Sequence, residues 1–480
     1  MRIIGAAKRA LNNYLIKRSD LWQKESSLRD PELWGFQVGD KGHLMVDGID
    51  CVELIERYGS PLLVVNKKRL LSDARRIKKA LQDGQPSSKV LYSYKTNCIP
   101  GILSEIHHVG IGAEVISPYE LWLAEKLGVP GNMIVYNGVN KTDESLIRAI
   151  NRDCASINID QEEEIERIYS IAKMLGRKAR VGIRLALGDS QFGLDVNTGE
   201  AKTACMRIAA LSKFLDLNSI HFNVTSNARS AGLQTRCALD ALKFMAGIKM
   251  DLGLTISYLD IGGGFGVPTT KNMSGLEYGL YRTNGALPKP PSKDECQPIE
   301  SYLDEILRNM KECCDRLRID MPSLVIEPGR YVTSGSETLL VRVHSIKTRS
   351  GGKKYAITDG GRLSITFPCD FEYHETFVAN HFNDPLTTSY NIMGRVCTSA
   401  DWMFKNRSMP ELRPGDILAV MDAGAYFSSY SSNFAFPRPA IVMVEEGRSR
   451  LIRKEETFEH LTAMDEWGDF QGSERAPSSS

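Results

Sequence analysis

The sequence predicts an α/β fold: a (β/α)8 TIM-like barrel followed by a C-terminal all-β domain. Three observations carry this prediction. From Lys89 onward, eight short β-rich runs alternate with helical patterns. After about Ser336, strand-like runs continue with no helices between them. The length of 480 residues exceeds the size at which single cores usually divide, so two domains are the default.

Taken in order, residues 1–43 form an N-terminal extension. Its first segment, MRIIGAAKRALNNYLIKRSDLW, is basic and weakly amphipathic but lacks an uninterrupted apolar stretch. No part of the chain approaches the roughly 18 apolar residues of a spanning helix, so neither secretion nor membrane insertion is indicated. Residues 44–66 include PLLVVN, a strand-like run expected to pair with the β domain. Residues 67–335 hold the eight runs KVLYSYK, IGAEVI, MIVYN, ASINI, ARVGIRL, SIHFNV, ISYLDI and SLVIE. Between them, stretches such as TDESLIRAI and QEEEIERIYSIAKMLG space apolar residues three and four apart, as amphipathic helices do. Eight such units read as a barrel, although a doubly wound open sheet gives a similar pattern. The segment from Thr269 to Pro298 contains NGALPKPPSKDECQP and reads as a surface insertion too polar to pack. Residues 336–465, with ETLLVRVHSIKTR, KKYAITDG, DILAVMDAG and PAIVMVEEG, form the β domain. Residues 466–480 end in GSERAPSSS, a composition expected to be disordered.

Sixty basic residues oppose fifty-nine acidic ones, a net charge of +1. Nothing in that balance points to nucleic acid or an anionic membrane, so the expected partner is a small molecule. Ten scattered cysteines include no CxxC pair and no metal-like cluster, which indicates a reducing, cytoplasmic setting and no metal site.

In a barrel the chemistry gathers where strands end at the C-terminal face. KVLYSYK closes on Lys95, where an apolar wall would lower the amine's pKa and favour Schiff-base formation; an exposed structural lysine is the bland alternative. ISYLDIGGGFG places Gly262, Gly263 and Gly264 after a strand, as a phosphate cradle or simply a tight turn. The spacing fits neither GxGxxG nor GxxxxGK[ST]. SLVIEPGRY ends in Glu327 and Arg330, a pair suited to a pyridine nitrogen and a phosphate, or to a plain salt bridge. MGRVCTSADW carries Cys397, by itself a small apolar residue as readily as a catalyst.

Together, YSYKTN, GAEVISPYEL, YNGVNKTDESL, FGLD, GGGFG, EPGR, CTSAD and DAGAY resemble the ornithine/diaminopimelate/arginine decarboxylase family, fold-type III enzymes related to alanine racemase. The resemblance runs from about Asp47 to Val444. It implies pyridoxal 5'-phosphate as cofactor, an aldimine at Lys95, Glu327 at the pyridine nitrogen and Arg184 near the ring. It implies phosphate binding by Gly262 to Gly264, Ser226, Arg330 and Tyr426. It also implies a homodimer in which Cys397 crosses to the partner's site and returns a proton to Cα. The implied activity is decarboxylation of a basic amino acid or of a specialised amino-acyl substrate, free or carrier-tethered.

Several positions depart from the family's pattern. Asn223 stands where the family has a histidine stacked on the cofactor, and Thr225 follows in place of glycine. The nearby His221 is expected, by strand alternation, to point to the other side. Phe367 and Phe371 replace the Arg and Tyr of an RPALY-like segment, which argues against meso-diaminopimelate as substrate. Thr398 replaces the acid after the cysteine, while Asp401 matches the family. Asp370 and Glu372 are candidate carboxylates for a distal ammonium, or solvated loop acids. These departures leave open racemisation or another Cα transformation, and a non-catalytic homologue that binds a protein partner.

Overall fold

Strand β1 (Leu62–Asn66) precedes eight parallel strands: β2 (Lys89–Ser93), β3 (Gly112–Val115), β4 (Ile134–Tyr136), β5 (Ser156–Ile159), β6 (Ala179–Ala186), β7 (Leu215–His221), β8 (Tyr258–Asp260) and β9 (Ser323–Ile326). These eight are the eight runs read from the sequence. In the computed structural model, which describes residues 29–188, 190–366 and 368–466, they follow one another in the order β6-β7-β8-β9-β2-β3-β4-β5. The ring then closes, with Ile157 of β5 opposite Val181 of β6 and Ile159 opposite Ile183. That closing pair excludes the open sheet. Phe367, residues 1–28 of the N-terminal extension and the tail from 467 lie outside the described residues.

Strands covered on both faces should read as near-continuous apolar runs, and they do: Val90 to Ser93 in β2 and all of β3, β4 and β5 are buried. The connecting helices present one stripe inward. In Lys67–Gly84, Leu70, Ala74, Ile77 and Leu81 recur at three- and four-residue spacing, and Asn66 caps the first turn by accepting from the Arg69 N–H at 3.1 Å.

The second sheet is built from β10 (Glu337–Thr348), β11 (Lys354–Thr358), β12 (Thr376–Val378), β13 (Thr388–Met393), β14 (Trp402–Met409), β15 (Ile417–Val420), β16 (Ala440–Glu445) and β17 (Arg448–Arg453). Strand β1, from before the barrel, lies in its middle. It runs antiparallel to β10, with Leu62 opposite Leu340, and parallel to β16, with Leu62 opposite Ala440. A separate apolar core under this sheet gathers Trp34, Phe36, Leu62, Leu340 and Val442. The Trp34 indole N–H donates to Asp422 at 2.7 Å, tying the start of the described chain to the β domain.

The segment from Thr269 to Pro298 corrects the sequence expectation, because it packs. Lys271–Asn272 pairs with Glu372–Tyr373, and the helix Gly275–Asn284 begins with a Ser274/Glu277 capping box. Leu280 and Tyr281 are buried; the Tyr281 hydroxyl accepts from the Lys405 N–H at 3.0 Å, and its ring meets Trp402 edge-on. Two adjacent apolar side chains on a capped helix suffice to dock it, a signal that composition averaged over thirty residues conceals. Among the described residues, no helix is long and apolar enough to cross a membrane.

Candidate active site

The C-terminal ends of β2 to β5 and β9 carry one buried polar chain. Lys95 sits in the short turn Tyr94–Thr96 after β2, with Nζ 3.3 Å from Glu114 Oε2 on β3. Ser93 donates to the same oxygen at 2.5 Å. Asn137, one residue past β4, donates to both carboxylates flanking the lysine, Glu114 Oε1 at 3.0 Å and Glu327 Oε1 at 2.7 Å. Its own oxygen accepts from Asn158 of β5 at 2.7 Å. Burying charge without partners is costly, and here both carboxylates have them.

These acids correct the expectation of a lysine made acidic by an apolar wall. Burial does pull the Lys95 ammonium down, but Glu114, Glu327 and Tyr426 outweigh it and hold the amine above the ordinary lysine range. Lys95 is therefore a charged amine whose proton is held by a carboxylate 3.3 Å away.

Glu327, just past β9, is buried and lies 3.6 Å from His221 Nε2 at the end of β7. Burial raises this carboxyl, yet His221 and Lys95 outweigh it and hold it below the usual carboxylate range. Asp260, at the end of β8, goes the other way: burial and then Glu327 push it well above the usual carboxylate range. One atom each from His221, Asp260 and Glu327 lies within 4.8 Å of the others, which brings the Glu327 charge close enough to act on Asp260. The expectation for His221 is thus overturned: it faces Glu327 and lines the same cavity as Lys95 and Asn223. Residues two apart on an extended segment point the same way, so His221 and Asn223 share a face.

A small polar cavity of about 120 Å³ is walled by Lys95, Ser226, Gly263, Gly264, Arg330 and Tyr426. The glycines are required by close approach: a Cβ on Gly263 would stand 2.3 Å from the Glu327 carbonyl, and one on Gly264 2.3 Å from the Thr225 carbonyl. Gly262 and Gly264 also hold φ of +67° and +83°. Arg330, expected at a phosphate, is buried and donates from both outer nitrogens to Glu372, at 3.0 and 2.6 Å. Its Cζ lies 5.7 Å from the Tyr426 ring centre. This donor set of hydroxyls, glycine turn and guanidinium fits a phosphate, with the qualification that Glu372 already shares the arginine. A second cavity of about 490 Å³ meets the first at Lys95, Asn223 and Glu327, and is walled further by His221, Phe192 and Arg184. Arg184 lies 3.6 Å from Asp160 and stacks on Phe192 at 4.6 Å. The Asn223 side-chain oxygen is buried with no hydrogen-bond partner among the described residues. An orphaned acceptor beside a lysine and an anionic carboxylate fits the pyridine portion of pyridoxal phosphate.

The remaining candidates lie elsewhere. Cys397 is exposed and lines neither of these cavities. Thr398, Asp401 and Asp370 line a third cavity in the β domain. Asp401 is buried and accepts the backbone N–H groups of Arg362 and Val396, each at 2.7 Å, so it shapes its loop. Asp370 pairs with Arg362. Glu372, held by Arg330 and 3.3 Å from His374, is not a solvated acid awaiting a ligand.

The chain is similar to known proteins over most of its length. The family model for the pyridoxal binding domain of pyridoxal-dependent decarboxylases matches residues 68–334. Diaminopimelate decarboxylases of Methanothermobacter thermautotrophicus and Zymomonas mobilis are 29% and 30% identical, each over 88% of this chain and 96% of the relative. The crystal structure of the M. jannaschii diaminopimelate decarboxylase superposes with a TM-score of 0.80 at 27% identity, covering 91% of this chain and 98% of that one. The chain belongs to the pyridoxal-dependent decarboxylase family. It is an amino-acid decarboxylase whose cofactor is pyridoxal 5'-phosphate.

Three buried groups escaped the sequence reading. Asn137 closes MIVYN and Asp260 closes the strand of YLDI, so both occupy strand ends, the signal that singled out Lys95. Asn158 lies inside its strand and gave no signal.

Proposed function

We propose that the chain decarboxylates an amino acid or amino-acyl substrate other than meso-diaminopimelate, with Lys95 bonding the cofactor and Cys397 of a second copy supplying the proton to Cα. The observation that carries this reading is Lys95 set between Glu114 and Glu327 where two cavities meet. When bound, the cofactor supplies an electron sink for the pair left by departing carbon dioxide. Glu327 presents an anionic carboxylate, and Asn137 and His221 fix its place. Glu114 Oε2 holds the Lys95 amine in position. Gly263, Gly264, Ser226, Arg330 and Tyr426 hold phosphate.

The engagement of the nearby acids bears on substrate class. A basic amino acid needs a free carboxylate for its distal ammonium. Glu372, Asp370 and Asp401 all have partners, and Thr398 is neutral. This favours a specialised substrate over lysine, ornithine or arginine. A second reading, diaminopimelate itself, draws support from the relatives' names and from an M. jannaschii structure solved with L-lysine.

Carbon dioxide release from D- and L-forms of lysine, ornithine, arginine, 2-aminoadipate and from diaminopimelate, measured beside Lys95→Ala, tests the proposal. Release that depends on Lys95 supports it. If no candidate loses carbon dioxide in a Lys95-dependent way, it fails.

A further inference from the structure

We propose that the β-domain cavity of about 250 Å³ walled by Arg282, Arg362, Thr398 and Trp402 receives an anionic distal group of the substrate, a terminal carboxylate or phosphate. This inference deepens the reading above and rests on it.

Position is the first argument. Residues between Arg362 and Glu372 wall this cavity or bond to residues of the phosphate cavity. Arg362 and Asp370 wall the former. Thr366 Oγ1 donates to the Tyr426 carbonyl at 3.3 Å and Glu372 grips Arg330. Tyr426 and Arg330 both line the cavity that contains Lys95. The Cys397 loop supplies a third wall, through Val396 and Thr398.

Charge is the second. Arg362 Nη2 is bonded to Asp370, but its Nη1 is buried with no hydrogen-bond partner among the described residues. Arg282, brought in by the packed helix Gly275–Asn284, adds a second guanidinium. Lys405 donates to the Arg282 carbonyl at 2.7 Å and lies 4.5 Å over the Trp402 ring. Its amine is less basic than an ordinary lysine, through burial first and then the positive charge of Lys353 and Arg282. Against these cations the wall offers Asp370, which is paired, and Asp401, whose two oxygens accept backbone N–H groups. Where a carboxylate would meet an ammonium stands Thr398. Arg282 and Arg362 match Asp370 and Asp401 in number around the cavity, but both carboxylates are already engaged and one Arg362 donor is unmet among the described residues, so the complementary ligand is an anion. Leu363, Val396 and Phe434 give the same cavity an apolar side for a methylene stem.

The test titrates holoenzyme with 2-aminoadipate, O-phosphohomoserine, lysine and diaminopimelate, and reads the shift of the cofactor's visible band, a binding signal independent of turnover. The anionic probes are expected to half-saturate at concentrations roughly tenfold or more below lysine, the worth of one charge-assisted hydrogen bond. Whichever of the first two binds tighter identifies carboxylate or phosphate. Arg282→Met, an exposed position, should raise half-saturation for that probe roughly tenfold and leave lysine unchanged; Arg362→Met should act in the same direction. Lysine binding tighter than both anions, or an Arg282→Met enzyme that binds them unchanged, overturns the inference. Tightest binding of diaminopimelate with Arg282 dependence retains the anion site and removes only the exclusion of that substrate; without the dependence, both fall. A protein with no Lys95-dependent band instead removes the reading of the active site, and the inference with it.

Discussion

Glu372→Gln is the perturbation whose size the structure defines best. The carboxylate and the Arg330 guanidinium are both nearly inaccessible and form two hydrogen bonds of 3.0 and 2.6 Å. Removing one member of a buried pair strands the other, at a cost of about 3–5 kcal/mol. At about 2 °C per kcal/mol, the apoprotein should melt roughly 6–10 °C lower. Burial raises the Glu372 carboxyl, but Arg330 and His374 outweigh it, so the folded group is more acidic than the unfolded one. Its contribution is then complete above about pH 4.5 and fades as pH falls, and the difference from the variant should narrow in the same window. If Arg330 also meets the phosphate, the stranded guanidinium regains a partner when cofactor binds. Differential scanning calorimetry of apo and holo forms checks this. The account expects a clearly smaller deficit in the holo variant. Equal deficits with and without cofactor, or an apo deficit under about 1 kcal/mol, would refute the reasoning.

Other consequences follow from single contacts. Gly263→Ala places a methyl 2.3 Å from the Glu327 carbonyl and should lower cofactor affinity roughly tenfold or more, read by equilibrium dialysis. Glu337, buried with Oε1 unpartnered among the described residues and Oε2 accepting from Asn97, is pushed up to about 8 by burial. A raised carboxyl contributes its stability fully below about pH 4.5 and loses it as pH rises towards 8, so Glu337→Gln should leave the melting temperature nearly unchanged at pH 4.5 and raise it at pH 8. Mixing Lys95→Ala with Cys397→Ala chains should restore up to about a quarter of wild-type activity, if each site draws on both chains; no recovery on mixing places Cys397 outside the partner's chemistry.

The barrel was legible because its strands are buried on both faces, which writes them as uniform apolar runs from KVLYSYK to SLVIE. The residues at their ends were legible for the same reason: Lys95 and Glu327 interrupt the apolar pattern. What the sequence hid was pairing. Nothing local announces that Arg330 meets Glu372, forty-two residues on, or that Asn137 bridges Glu114 and Glu327. The sign of the Lys95 shift was misread for that reason, since an apolar strand predicts a dry wall and the acids arrive from neighbouring strands. The face of His221 was misjudged although the two-residue period places it with Asn223. Docking of the helix Gly275–Asn284 rests on Leu280 and Tyr281, two residues outweighed in composition by the prolines and lysines that follow.

The most direct test of the central claim is to load the protein with pyridoxal 5'-phosphate, reduce it with borohydride, digest it and locate the added mass by tandem mass spectrometry. A pyridoxyl group is expected on the peptide of YSYKTN, at Lys95, and none in Lys95→Ala. A label on another lysine, or no label in a protein shown to be folded, would contradict it.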